Sequence, residues 1–190
     1  MTVLNDKQIN DLAIEGGMIT PYVGAQVRQI NGEKVISYGV SSYGYDARLA
    51  GEFMWPVRGG TLDPKANTAR WESQTVPDEY GYLIPPHGFV LARTVERFKM
   101  PDDVMAICVG KSTYARNGLI VNVTPLEPGW EGHVTLELSN TTDLPSVVYV
   151  GEGICQFVFY RGKRPAVTYA TREGGPGKYQ GQQSVTLARV

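Results

Sequence analysis

The chain has 190 residues, with 18 Lys and Arg against 19 Asp and Glu, so its formal net charge is −1. This length fits one domain of roughly 100–200 residues, and we expect residues 1–190 to form that single domain. The absence of any basic block argues against nucleic acid as a partner, and no apolar run approaches the ~18–20 residues of a membrane span.

The start of the chain and its cysteines predict a cytoplasmic protein. The first residues, MTVLNDKQIND, lack the charged region and apolar region of a secretory signal. Cys108 and Cys155 both lie in apolar, strand-like runs, where buried free thiols in a reducing compartment are expected.

Helical spacing is found at two places. In NDKQINDLAIEGG the apolar residues recur at helical spacing, Asn5 or Asp6 can cap the start, and Gly16-Gly17 ends the helix. A second, internal helix of about two turns is predicted in KSTYARNG, which its final Asn-Gly pair closes.

Most of the remaining chain predicts strands and turns. In residues 51–87 Trp, Pro and Gly interrupt short apolar pieces, and we expect irregular β-structure and loop there. Later apolar runs recur at close to the roughly 8–12-residue spacing of a sandwich or barrel. The predicted strands are GFVLARTVE, DVMAICV, LIVNVT, HVTLEL, SVVYV and GICQFVFY. The fold class is therefore mainly β, and the polar, Gly-rich tail TREGGPGKYQGQQ is expected to be mobile unless a ligand orders it.

Spacing excludes two kinds of site. GKST looks like the end of a phosphate-binding P-loop, but the first Gly of that loop would have to stand at Met105. A zinc-dependent deaminase needs an H-x-E segment and a P-C-x-x-C segment. Neither His87 nor His133 is followed by x-E, and the two cysteines are far apart, so we expect no zinc site.

The segment HVTLELSN places a carboxylate on the outer face of a strand. Alternation directs Val134, Leu136 and Leu138 towards the core and Glu137 to the opposite face. On this pattern alone Glu137 is a solvated surface residue. It becomes a candidate general acid/base if another subunit covers it, because partial burial raises the pKa of a carboxylate.

Two segments could bind an anion. Lys111 and Arg116 flank the start of the internal helix, where backbone N–H groups and the helix dipole favour negative charge, and Ser112 lies one turn before Arg116 on the same face. The alternative is a helix-capping Ser and a surface Arg. Lys178 and Gln182 lie in the tail, which either closes over phosphates or is an unstructured terminus.

Five segments occur in the order of the five motifs of the dUTPase and dCTP deaminase superfamily: SYGYD, GKSTYAR, VNVTPLEPGWEGHVTLELSNTT, GICQF and GKYQGQ. The chain resembles dCTP deaminases of the branch with a short third-motif loop, most closely over residues 105–183. The resemblance implies a dUTPase-like distorted jelly-roll or β-barrel and a homotrimer with sites between subunits. It also implies zinc-independent conversion of dCTP to dUTP and ammonia, with Mg²⁺ carried on the triphosphate rather than on protein side chains, and feedback inhibition by dTTP.

The resemblance also implies residue roles. Glu137 would exchange protons with the attacking water and the departing amino group. Ser112 would position that water, and Arg116 would hold Ser112 and the developing charge. The residues implied to bind the nucleotide are Lys111, Ser112, Thr113, Tyr114, Ala115, Arg116, Val123, Pro125, Thr135, Leu136, Glu137, Gln156, Tyr169, Lys178 and Gln182.

Three other functions stay open on this resemblance. A dUTP pyrophosphatase needs an Asp and a Tyr in the third motif, where this chain has Glu127 and Trp130. A bifunctional enzyme that forms dUMP has a longer loop than PLEPGW. A nucleotide-binding sensor trimer would not need the acid/base. The chain also departs from its branch at Gly129, where an acidic residue is usual, and at Pro176 in the tail.

Overall fold

The computed structural model describes residues 1–66, 68–78 and 80–190. Two α-helices are found in this part of the chain, α1 (Asp6–Gly16) and α2 (Ser112–Ala115), with a 3₁₀ turn at Tyr169–Thr171. The strands are β1 (Thr2–Val3), β2 (Ile19–Thr20), β3 (Val27–Ile30), β4 (Glu33–Ser41), β5 (Gly44–Arg48), β6 (Glu52–Pro56), β7 (Trp71–Thr75), β8 (Gly81–Ile84), β9 (Phe89–Lys99), β10 (Val104–Gly110), β11 (Leu119–Asn122), β12 (Glu131–Asn140), β13 (Ser146–Tyr149) and β14 (Gly153–Arg161).

The strands form two large antiparallel sheets and one small ribbon. In the first sheet β14 is central, with β10 along one edge and β1 and β5 along the other, and β4 and β3 follow β5. The second sheet has the order β11-β12-β9-β6-β7, and β2 also pairs with β9. The ribbon consists of β13 and β8. The predicted mainly-β class is confirmed.

The two large sheets pack face to face. Phe98 on β9 meets Phe157 and Phe159 on β14, with ring centroids 4.5 Å and 6.5 Å apart, and all three side chains are fully buried. A buried ion pair also joins the sheets, because Arg48 Nε donates to Glu96 Oε1 over 2.8 Å. Such an interior fixes the position of β9, and β9 in turn holds β12 in register.

The predicted helix α1 is confirmed together with its caps. Asn5 Oδ1 accepts the Gln8 backbone N–H at 3.1 Å, and Gln8 Oε1 accepts the Asn5 N–H at 3.1 Å. Gly17 ends the helix at φ 64°, a left-handed conformation that favours glycine.

The structure differs from the predictions in three places. Residues 51–87 contain three regular strands, β6, β7 and β8, rather than irregular β-structure; Asn67 and Glu79 of that stretch lie outside the described residues. The strands β3, β4 and β5 were not predicted. The internal helix α2 has one turn rather than two, because the chain turns after Arg116 and Gly118 adopts φ 74°.

Candidate active site

The alternation predicted for β12 is confirmed. Val134, Leu136 and Leu138 are buried in the core, whereas Thr135 and Glu137 are partly exposed on the opposite face. The side chain of Leu136 is 0% exposed and points away from that face, so only its backbone is available to a nucleotide.

A cavity of about 1070 Å³ lies against the Glu137 face of the second sheet. The residues of the implied nucleotide site that line it are Val123, Pro125, Thr135, Glu137, Tyr169, Lys178 and Gln182. Sequence reasoning missed its apolar wall, which includes Leu62, Trp71, Phe89, Leu91 and Trp130. The position of Leu91 follows from the pairing of β9 with β12, in which Leu91 lies directly opposite Glu137.

Glu137 has the electrostatic properties of a proton carrier. Burial raises the pKa of its carboxyl group from 4.5 to about 7, although a hydrogen bond from Asn122 opposes the rise. In that bond Asn122 Nδ2 donates to Glu137 Oε2 over 3.4 Å. A carboxyl group with a pKa near 7 can both accept and return a proton at neutral pH.

The segment around α2 has one buried side chain, Tyr114, which fixes the helix to the fold. Its other side chains form an exposed edge that carries the positive charge of Arg116. Tyr114 is buried, and its hydroxyl accepts the Tyr149 backbone N–H at 3.1 Å, so it holds the helix against the fold. Ser112, Thr113, Ala115 and Arg116 are exposed. Arg116 Nη1 donates to the backbone carbonyl of Ser112 at 3.3 Å, so the contact between these two residues does not involve the Ser112 hydroxyl.

Lys111 and Gln156 both contact Asp46, a buried carboxylate at the end of the motif SYGYD for which the sequence predicted no role. Lys111 Nζ lies 2.6 Å from Asp46 Oδ2, and Gln156 Nε2 donates to Asp46 Oδ1 over 3.1 Å. Gln26 Nε2 donates to Asp46 Oδ2 over 3.1 Å as well. The structure thus brings two predicted nucleotide-binding residues together. The sequence signal for the third was a charged residue, Asp46, that follows Tyr45 and precedes Ala47 in an otherwise uncharged segment.

One copy of the chain leaves the implied catalytic residues in two groups. Among the described residues that line the cavity, none comes from the segment Lys111–Arg116 or is Gln156. Nor does any hydrogen bond within the described part of the chain join Glu137 to Ser112 or Arg116. The cavity supplies the carboxylate, and a separate edge supplies the hydroxyl and the cations.

Comparison with known proteins identifies the family. A family model described as dCTP deaminase-like matches residues 3–162. The chain belongs to the dCTP deaminase-like family. A dCTP deaminase from Rhizorhabdus wittichii is 54% identical over 193 residues and covers 100% of both chains. One from Azotobacter vinelandii is 52% identical over 195 residues, also with 100% coverage of both.

The fold is shared with a solved structure. The crystal structure of 2'-deoxycytidine 5'-triphosphate deaminase from Agrobacterium tumefaciens matches with a TM-score of 0.62 at 22% identity, over 84% of this chain. This chain spans 48% of the length of that one. The likeness confirms the predicted jelly-roll-like fold of the dCTP deaminase-like family.

The tail of this dCTP deaminase-like chain runs along β12 beside the cavity. Gly181 N–H donates to the Glu131 carbonyl over 2.7 Å, and His133 N–H donates to the Gln182 carbonyl over 2.9 Å. Thr135 Oγ1 then donates to Gln182 Oε1 over 3.2 Å. These contacts hold Lys178 and Gln182 against the cavity, where the family resemblance had implied them.

The family departures in the third-motif loop have structural reasons. Both carboxylate oxygens of Glu127 accept from Arg172 Nη2, at 2.6 Å and 2.7 Å, and the Arg172 guanidinium lies 4.5 Å from the Tyr169 ring centre. Gly129 adopts φ 79°, and a Cβ there would lie 2.9 Å from Thr168 Oγ1. An acidic side chain at position 129 would therefore clash, and only glycine fits comfortably.

The described residues contain neither a metal-binding cluster nor a helix that could cross a membrane. No group of three or more His, Cys, Asp and Glu side chains in residues 1–66, 68–78 and 80–190 could hold a metal ion. Within the same ranges, neither helix has the length and apolar character to cross a membrane.

Proposed function

We propose that this chain hydrolyses dCTP to dUTP and ammonia. The observation that carries the proposal is Glu137, a half-buried carboxyl group with its pKa raised to about 7, in the wall of a cavity of about 1070 Å³. The relatives named dCTP deaminase, which match over the full chain, support the same activity.

The chemistry needs one group that moves protons in both directions. Ionised Glu137 accepts a proton from water as the water oxygen forms a bond to C4 of cytosine. That proton passes to N3 of the ring, and the second proton of the water, now on the C4 hydroxyl, is carried to the exocyclic amino group. The C4–N bond then breaks, C4 becomes a carbonyl, and ammonia leaves. A positioned carboxylate of this kind contributes about 10²–10⁴ in rate. Thr135 and the backbone of residues 123–125 would face the base.

The proposed assembly is a homotrimer in which the cationic edge of one subunit completes the cavity of the next. The cations of the cavity are already engaged, since Arg172 pairs with Glu127 and Lys178 Nζ donates to the Arg189 carbonyl over 2.6 Å. A triphosphate needs further positive charge, which the exposed Arg116 of a neighbouring copy would provide. Lys111 of that copy would add its charge on exchanging its contact with Asp46 for the phosphates. Ser112 of that copy would position the water, with Arg116 holding Ser112 and the developing charge.

The remaining parts of the proposal concern the nucleotide and its surroundings. Mg²⁺ would reach the site on the triphosphate and neutralise part of its charge, without a ligand from the protein. dTTP would bind at the same site and inhibit, because it shares the deoxyribose and triphosphate of dCTP. The free thiols of Cys108 and Cys155 support a reducing, cytoplasmic location.

The test is incubation of the purified protein with dCTP and Mg²⁺, followed by chromatographic separation of dCTP, dUTP and dUMP. We expect dUTP to accumulate, more slowly when dTTP is added, and Glu137→Gln to lose nearly all turnover while it retains dCTP binding. Formation of dUMP and pyrophosphate would identify the bifunctional activity instead. Untouched dCTP that nevertheless binds would indicate a sensor, and turnover of dUTP alone would indicate a pyrophosphatase.

A further inference from the structure

We infer that Asn122 is a positioning residue for Glu137, whose carboxylate it orients and holds ready to accept a proton. The inference rests on the proposed acid/base role of Glu137 and adds a residue that this role does not itself require. It is carried by strand register and by one side-chain contact.

The register of β11 and β12 makes Asn122 the cross-strand neighbour of Glu137. The pairs run from Leu119 opposite Asn140 to Asn122 opposite Glu137. Directly opposite residues of an antiparallel pair project from the same face, with their Cβ atoms about 4.5–5.5 Å apart. The carboxamide therefore meets the carboxylate, and Asn122 Nδ2 donates to Glu137 Oε2 over 3.4 Å.

Burial and hydrogen bonding act on Glu137 in opposite directions. Burial disfavours the ionised carboxylate and raises its pKa, whereas the backbone N–H of Glu137 and the side-chain N–H of Asn122 stabilise the ionised form and lower the pKa. The balance is a pKa of about 7. Without the carboxamide the pKa would rise further, and a smaller fraction of the carboxyl group would be ionised and able to act as the base at neutral pH.

Other charged and titratable groups around Glu137 have their own partners. Arg93 on β9 pairs with Glu52 and lies 3.5 Å from His133 Nδ1. The Asp63 carboxylate accepts the backbone N–H groups of Lys65 and Ala66. The remaining groups that line the cavity are Glu127, Tyr169, Arg172, Lys178 and Tyr179. Among the described residues, Asn122 is the one side chain that donates to Glu137, beside the backbone N–H of Glu137 itself.

Two substitutions grade the effect. Asn122→Ala removes the donor, and Asn122→Asp keeps the size of the side chain but replaces the donor with a second carboxylate. In a plot of kcat/KM for dCTP against pH, we expect the rising limb of Asn122→Ala to move to higher pH by about half a unit. In Asn122→Asp the limb is expected to move to higher pH by about one to two units. At high pH most of the rate should return.

A purely structural role predicts a different profile. If Asn122 only supports packing, both variants lose rate by the same factor at every pH and the limb stays in place, which would overturn the inference. Asn31→Asp is the matched control, because it makes the same chemical change at the tip of the β3–β4 hairpin in the other sheet. It should leave the limb where it is.

A second measurement does not depend on turnover. Carboxyl-carbon NMR of the nucleotide-free protein follows the titration of Glu137, with the resonance assigned by its loss in Glu137→Gln. A midpoint that rises in the order unmodified protein, Asn122→Ala, Asn122→Asp supports the inference even if dCTP proves not to be the substrate. Equal midpoints overturn it even if dCTP is deaminated.

Discussion

The chemistry of a single residue, Glu137, depends on what surrounds its strand. A carboxylate on the polar face of β12 would ordinarily be solvated, but here the apolar side chains of Trp71 and Leu91 contribute to the same cavity wall. The pKa of Glu137 is raised because these neighbours partly remove its carboxyl group from water. The raised pKa also implies a cost in folding free energy, because a group tuned for proton transfer ionises less readily in the folded protein than in the unfolded chain.

Glu137→Gln is therefore expected to stabilise the protein at high pH. The folded pKa of Glu137, about 7, lies above its ordinary value of 4.5, so its contribution to stability is fully present below pH 4.5 and is lost as the pH rises through 7. A neutral glutamine escapes this loss. At pH 8 we expect a gain of about 1–2 kcal/mol after allowance for partial exposure, and little gain at pH 5.

Urea unfolding of both proteins at pH 5 and pH 8 measures this difference. Glu15→Gln, on the exposed side of α1, is the control and should give the same free energy of unfolding relative to the unmodified protein at both pH values. A Glu137→Gln gain that is equal at pH 5 and pH 8 would contradict the assignment of the raised pKa to this carboxyl group.

At the residue scale, the sequence predicts which face of a strand a side chain occupies better than it predicts how deeply that side chain is buried. The two-residue period of HVTLELSN correctly directs Glu137 away from the core, because alternation is a local property of a strand. The partial burial of Glu137 is not local, since it depends on Trp71 and Tyr179, which are distant in the chain. For the same reason the contact with Asn122 follows only from the β11–β12 register.

Three elements from the last third of the chain form one side of the cavity rim. The tail pairs with β12 through residues 181 and 182, and the 3₁₀ turn at Tyr169–Thr171 supports it from below, since Tyr179 N–H donates to the Tyr169 hydroxyl over 3.0 Å. Gly177 lies at the centre of this arrangement. A Cβ on Gly177 would lie 2.2 Å from Cζ of the Tyr169 ring, so any side chain there must displace one of the two.

Gly177→Ala is expected to weaken dCTP binding without unfolding the protein. The displaced tail would move Lys178 and Gln182 away from the cavity, and we expect KM for dCTP to rise about tenfold. Steady-state kinetics measure the rise, and thermal unfolding measures separately what displacement of the Tyr169 ring, a member of the hydrophobic core, costs in stability. Gly162→Ala is the matched control, since nothing lies within 4 Å of a Cβ at that position. Equal KM values for the two variants would exclude this role for the tail.

The elements that the sequence predicts poorly are those without a strong period of their own. The strands β6 and β7 carry Trp, Pro and polar residues and are stabilised by pairing with each other, and β6 also pairs with β9. By contrast, β10 and β14 are apolar runs bounded by turns, and both were predicted. The short helix α2 ends early because the backbone turns before Gly118, which a two-turn interpretation of KSTYARNG overlooked.

At the scale of the whole molecule, one copy of the chain leaves the implied catalytic residues in two groups, which the proposed trimer would bring together. Glu137 lines the cavity, whereas Ser112 and Arg116 lie on the edge around α2. No local pattern in the sequence reveals such a division, because it depends on how distant segments fold. The motif order nevertheless predicts that the two groups act together.

Mixed assemblies test this division. Glu137→Gln and Ser112→Ala should each be nearly inactive alone, and equal amounts reassembled together should regain about a quarter of full activity, because in a cyclic trimer one site in four would combine an intact Glu137 with an intact Ser112. The dCTP assay on the reassembled mixture measures the recovery. Mixing without disassembly is the control. An inactive reassembled mixture would show that each site draws both residues from one chain.

The cavity wall also provides an optical probe. Of the three tryptophans, Trp71 and Trp130 line the cavity, whereas Trp55 stands apart, its ring 6.2 Å from that of Tyr82. Indole emission responds to the polarity of its surroundings, so a nucleotide entering the cavity should change the fluorescence of two emitters out of three. Affinities for dCTP, dUTP and dTTP can then be measured without labels on Glu137→Gln, which holds the nucleotide without consuming it.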